Sequence, residues 1–155
     1  MAFSKLNFIT TELTPLFSTL SGTDTGKWGK MNAQQTVEHV ADFFKVSSRK
    51  LIFPVVTPVE YLPRFKEFLL SDKEFRENTV GPKEIVPEEP APMRNETYSA
   101  AITELQNEIE GFVDYFKGNE GAKTDHPVFG NLDFNEWVLL HYKHVVHHAK
   151  QFGLL

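Results

Sequence analysis

The chain contains no cysteine. That single absence removes disulfides, thiolate metal ligands and a cysteine nucleophile together. A tight metal site would have to be built from His, Asp, Glu or carbonyl oxygens. A basic surplus is also missing: 16 Lys and Arg stand against 21 Asp and Glu, for a net charge of −5. No run of Lys and Arg supplies the electrostatic footprint that nucleic acid requires, so no nucleic-acid partner is expected. No apolar stretch approaches the ~18 residues of a membrane span. The opening Met1-Ala2-Phe3-Ser4-Lys5-Leu6 lacks the apolar core of a signal peptide, and a cytoplasmic location is the expectation. Several motifs of other chemistries are absent as well. There is no glycine-rich phosphate loop, no Gly-x-Ser-x-Gly elbow, no His-Glu-x-x-His and no Glu-x-x-His.

What is present is ordinary globular material with a surplus of one ring. The 155 residues suit one domain, 1–155, and 41% of them are hydrophobic, including 14 phenylalanines. Asn32 with Gln35 three residues on is a capping-box pattern, opening a helix to about Lys50 along which Val37, Val40, Phe44 and Leu51 recur. Thr57-Pro58-Val59-Glu60 reads as a cap, a proline at the first helical position and an acid, predicting a short helix to about Leu70. Ser71 with Glu74 predicts one further turn. Residues 80–93 hold Pro82, Pro87, Pro90 and Pro92 and should be extended.

Ile102, Leu105, Ile109, Phe112, Val113 and Phe116 form an apolar stripe over about 95–117, ended by Gly118. Glu104, Asn107, Glu110 and Asp114 fall on its other side and read as a solvated face. Asp133 with Glu136 caps the last helix, and Gly153 closes it. The first stripe, Leu6 to Leu20, has Pro15 inside it and is either one kinked helix or two pieces. Ile52–Val56 is β-branched but is interrupted by Pro54 and has no partner run. The expectation is therefore an all-α fold of four principal helices. The long connection over 51–94 is able to return the third helix in the direction of the second.

Five of six histidines lie between 126 and 148. On a helix, His141, His144 and His148 fall within roughly 60° of one another, whereas His147 points roughly 80° or more away from His144 and His148. An i, i+4 pair lets two imidazoles reach one ion from adjacent turns. His39, on the second helix, is the one histidine outside this group. A lone helical histidine is more often a hydrogen-bonded core residue, but burying several imidazoles with no shared partner is costly. Three neutral histidines would leave a fourth position open, as catalytic zinc sites do. Asp42, one turn from His39, is a fourth ligand, an orienting group for an imidazole, or a surface acid. Trp137 and Gln151 share the histidine stripe and are expected behind the ligands or in the pocket wall. Trp28 and Trp137 flank the histidine-bearing helices and either wall the site or belong to the core. No catalytic side chain is assigned beyond these.

His144-Val145-Val146-His147-His148, with Gln151 three residues later, resembles the C-terminal signature of the DinB/YfiT-like superfamily. Asp125-His126-Pro127-Val128-Phe129-Gly130 with Trp137, and Trp28-Gly29-Lys30-Met31-Asn32 before the His39 helix, are similar to one DinB-like subfamily. The resemblance covers roughly residues 28–153. It implies a four-helix bundle in up-down-down-up order, with a long crossover between the second and third helices. It also implies one divalent ion, zinc or nickel, held by His39, His144 and His148. Characterised relatives transfer or rearrange groups with low-molecular-weight thiols, which implies a metal-dependent thiol S-transferase or hydrolase acting on a small molecule. His141 or Asp42 would then support the ligands or act as a base. Members often pair, so a homodimer is expected. The alternative is a non-catalytic bundle that binds a metal or small ligand.

Overall fold

The structure is a computed structural model and describes residues 2–155. The chain opens with α1 (Ala2–Asn7), a π-helical turn (Phe8–Glu12) and α2 (Leu13–Phe17). This wide turn resolves the Pro15 question: the run continues, but the Leu13 N–H reaches back five residues to the Phe8 carbonyl. A proline cannot donate to the carbonyl four residues before it and its ring crowds that carbonyl, so the coil loosens just upstream. The Thr10 and Thr11 hydroxyls donate to the Leu6 and Asn7 carbonyls at 3.0 and 2.7 Å, adding side-chain bonds along the loosened stretch.

The second stripe becomes α3 (Ala33–Ser47), opened by a complete capping box in which Asn32 accepts from the Gln35 N–H and Gln35 accepts from the Asn32 N–H. After a 3₁₀ turn at Val59–Tyr61 comes α4 (Leu62–Leu70). Thr57 does not cap it. Its hydroxyl donates instead to the Val128 carbonyl at 2.7 Å, and the Val56 N–H donates to Pro127 at 2.8 Å, so this segment is spent on a distant loop. The further turn at Ser71 does not form either: Ser71 is extended (φ −84°, ψ 170°). The Lys143 ammonium takes the Ser71 and Lys73 carbonyls, drawing the chain out of the helical path.

Next come α5 (Tyr98–Gly118), capped by Thr97, and a hairpin of β1 (Thr124–His126) and β2 (Gly130–Leu132). The last helix is α6 (Phe134–Gln151), whose Asp133–Glu136 capping box is complete. The strands pair antiparallel, Thr124 opposite Leu132 and His126 opposite Gly130. Gly130 sits at φ +82°, a conformation glycine adopts freely. His126 Nδ1 accepts from the Val128 and Phe129 N–H groups at 3.0 and 3.2 Å, which ties the turn to its own strand.

The expected all-α four-helix bundle in up-down-down-up order is therefore corrected. With the N-terminal run counted once, the described residues form five helices and a two-stranded antiparallel sheet, 53% helical and 5% strand. The cause is local. The Asp125–Gly130 stretch closes a three-residue turn, with Thr124, His126, Gly130 and Leu132 all facing inward. The Asn131 amide donates across to Asp125 on the outer face at 2.9 Å.

Helix directions follow from the cross-links. Gln34 meets Asn95 just ahead of α5, Lys45 meets Glu104, and Lys50 just past α3 meets Glu108, so numbers rise together and α3 and α5 run the same way. Against α6 they run in opposition: His39 meets His144 while Phe44 meets His141. The core between these three helices is aromatic. His141 stacks on Phe44 at 3.8 Å and meets the edge of Phe112 at 4.9 Å, and Phe112 stacks on Phe134 at 5.3 Å. No described helix is long and apolar enough to cross a membrane.

Candidate metal centre

Opposed packing of α3 and α6 sets one histidine of α3 against two on successive turns of α6. His39 Nε2 lies 3.0 Å from His144 Nε2, which lies 3.1 Å from His148 Nε2. One ring nitrogen from each falls within 4.8 Å of the others. Two ligands held at about 2.0–2.1 Å from a tetrahedral ion sit roughly 3.3 Å apart, close to the His39–His144 and His144–His148 spacings. Among the described residues this is the one group of three or more His, Cys, Asp or Glu close enough to do so.

Electrostatics favour the neutral ligand form. Burial pushes His39 down to about 4, partly offset by the Asp42 charge, and pushes His148 down to about 3. Burial, with the neighbouring rings of His148 and His39, holds His144 well below its ordinary value. All three are uncharged at neutral pH and carry a lone pair each. His148 is 5% exposed, while His39 and His144 keep a partly accessible edge.

The nearest carboxylates are committed elsewhere. Asp42 pairs with Arg94 at 2.9 Å and lies 3.6 Å from Lys45. Glu38, beside His39 in sequence, turns away to accept from the Arg94 and Asn95 N–H groups at 3.0 and 2.9 Å. Burial alone would raise its carboxyl, but these backbone donors hold it below the usual range. Neither acid reaches the histidines as a fourth ligand.

His141 does not join the centre. It is 1% exposed, its Nε2 lies 3.0 Å from Ser47 Oγ, and Trp137 stacks on it at 5.1 Å. Trp137 is likewise core: fully buried, with its indole N–H donating to Thr124 Oγ1 at 2.7 Å. Trp28 is at the periphery, its indole edge-on to His147 at 5.5 Å. His147 is not among the converging ligands: its ring is edge-on to His148 at 5.2 Å and to Phe75 at 6.0 Å, and the Phe75 backbone offsets part of its burial. Gln151 is buried behind His148, with Oε1 at 2.7 Å from His148 Nδ1.

The ring that does wall the centre is Phe43, edge-on to His39 at 5.1 Å and to His144 at 5.2 Å and stacked on His126. Its position one turn after His39 was the available signal. A shallow cavity of about 380 Å³ lies nearby, bounded by Lys27, Trp28, Phe75, His147 and Lys150 among others. Its wall touches His147 and none of the three converging histidines.

No curated protein and no solved structure matches the chain. One family model does, over residues 1–153, and the chain belongs to that family, whose description is "protein of unknown function (DUF1569)".

Proposed function

We propose that the chain binds one divalent ion, zinc or nickel, through Nε2 of His39, His144 and His148, and works as a metal-dependent enzyme of thiol-dependent group transfer or hydrolysis. The observation that carries this is the convergence of three uncharged imidazoles while both nearby carboxylates are tied to Arg94 and Asn95. Held by neutral ligands, a divalent ion keeps its full charge and lowers the pKa of a neighbouring thiol or water towards neutrality. The protein's own groups do the rest. Phe43 shields two ligand rings from water, and the His148–Gln151 contact fixes one of them in place. With no cysteine in the chain, a reacting sulfur would arrive on a small-molecule cosubstrate. The resemblance of the His144–Gln151 stretch to the DinB/YfiT-like signature supports the same reading.

A non-catalytic binding role is the second reading, favoured by one feature: the shallow cavity stops at His147 and does not reach the trio. Elemental analysis of protein prepared without an affinity tag tests the ion. About one equivalent is expected in wild type and in His147→Ala, with near-complete loss in His144→Ala. Equal retention in the two variants overturns the ligand assignment. Assays with electrophilic acceptors, hydrolysable esters and a panel of small thiols then compare loaded wild type with His148→Ala. Turnover confined to wild type is expected, and turnover equal in both, or absent throughout, leaves the binding role.

A further inference from the structure

Gln151 sits on the last turn of α6, 3% exposed, and makes contacts that only an amide satisfies together. Its Nε2–H donates to the Trp28 carbonyl at 2.7 Å. That bond fixes which way the amide faces, because the flipped group would set an oxygen against a carbonyl oxygen. Oε1 is then the atom 2.7 Å from His148 Nδ1, and since Oε1 only accepts, Nδ1 must carry the hydrogen. His148 is thereby left with its lone pair on Nε2, the nitrogen that faces His144.

The loop around Trp28 is shaped to the same residue. A side chain at Gly26 would come within 2.8 Å of Gln151 Cγ, and one at Gly29, already at φ +83°, within 2.6 Å of Nε2. The Lys27 N–H donates to the Gln151 backbone carbonyl at 2.7 Å. Three successive contacts, at Gly26, Lys27 and Trp28, thus close one turn of loop over one glutamine.

We infer that Gln151 is the positioning residue of the histidine centre, setting the tautomer of His148 and hanging the Gly26–Gly29 loop, with Trp28, on the same amide. The importance of this for an ion rests on the reading given above, but the tautomer does not. A ligand held in the correct tautomer by an outer hydrogen bond binds without first paying to reorganise, and loss of such a partner weakens metal binding by about 10–100-fold.

The test reads the His148 ring nitrogens by long-range ¹H–¹⁵N NMR in metal-free protein, then titrates Zn²⁺ against a competing chelator. Wild type should show His148 protonated on Nδ1. Gln151→Leu should lose that preference and bind Zn²⁺ about 10–100-fold more weakly. Gln151→Glu still accepts from Nδ1–H, so it should keep the tautomer while Trp28 emission shifts as its carbonyl loses a donor. A merely space-filling role would make Leu and Glu equally harmful. His148 protonated on Nε2 in wild type, or a tautomer unchanged in Gln151→Leu, overturns the inference, and the wild-type spectrum decides even where the Leu variant does not fold. Wild type that takes up no Zn²⁺ yet keeps Nδ1–H overturns the metal reading and leaves this one standing.

Discussion

His126 is held neutral inside the hairpin, with burial pushing it down to about 3 and two backbone N–H groups bonded to its Nδ1. Protonation would turn that acceptor into a donor facing two donors. The linkage sign follows. The unfolded ring titrates near ~6.5 and the folded one near about 3, so below pH 6.5 the unfolded chain binds more protons and stability falls with pH. Above pH 7 this contribution is flat. Denaturant midpoints measured from pH 8 to 4.5 should be level and then decline below about 6.5, steeper than one group allows because other buried histidines add to it. A midpoint unchanged between pH 7 and 5 would show that the unfolded state shares the depressed values. Residue identity also explains what was unreadable here. A histidine accepting from its own turn has no sequence signature, whereas the i, i+4 spacing of His144 and His148 is written in the chain. Which of the remaining histidines were core was not written, because the burial of His141 depends on Phe44, Phe112 and Ser47, which are far away in sequence.

Among the elements, the helices announced by reciprocal caps, or by a long apolar stripe as in α5, were the legible ones. Asn32–Gln35 and Asp133–Glu136 both form complete boxes because each needs only residues three apart. Asp133→Ala and Asn32→Ala should each cost about 1 kcal/mol in chemical denaturation. A loss below a few tenths of a kcal/mol in both would mean water replaces these caps without penalty. The helix to Leu70 forms without Thr57 as its cap, and the further turn at Ser71 does not form, since Thr57 bonds Val128 and Lys143 takes the Ser71 carbonyl. The hairpin strands are three residues each, too short to print an alternating pattern. Glu104 was misread for a related reason: its helix face is covered by Arg94, Lys45 and Asn95 from outside α5.

Arg94 works at the scale of the whole molecule. From the proline-rich segment it bonds Asp42 and Glu104 and donates to the Glu38 carbonyl, pinning that segment across α3 and α5. The surrounding carboxylates hold its guanidinium firmly charged against the opposing effect of burial. Its side chain is 40% exposed, so screening discounts each pair, and Arg94→Ala should cost about 1–2 kcal/mol. Limited proteolysis offers a separate check: cleavage should concentrate in residues 80–96 of the variant before α3 or α5 is cut. Protection equal to wild type would show that the prolines hold the segment unaided.

The three histidines also carry a timetable. His39 and His144 are 105 residues apart in sequence. At a synthesis rate of about 5–20 residues per second, His39 waits roughly 5–20 s after leaving the ribosome's active centre before its partners are even polymerised. Through that interval its counterpart α6 does not exist, so its imidazole lacks both of the rings it later meets, His144 and His148. The cluster thus cannot assemble until residue 148 has been added, and an ion held by all three rings is acquired only after that.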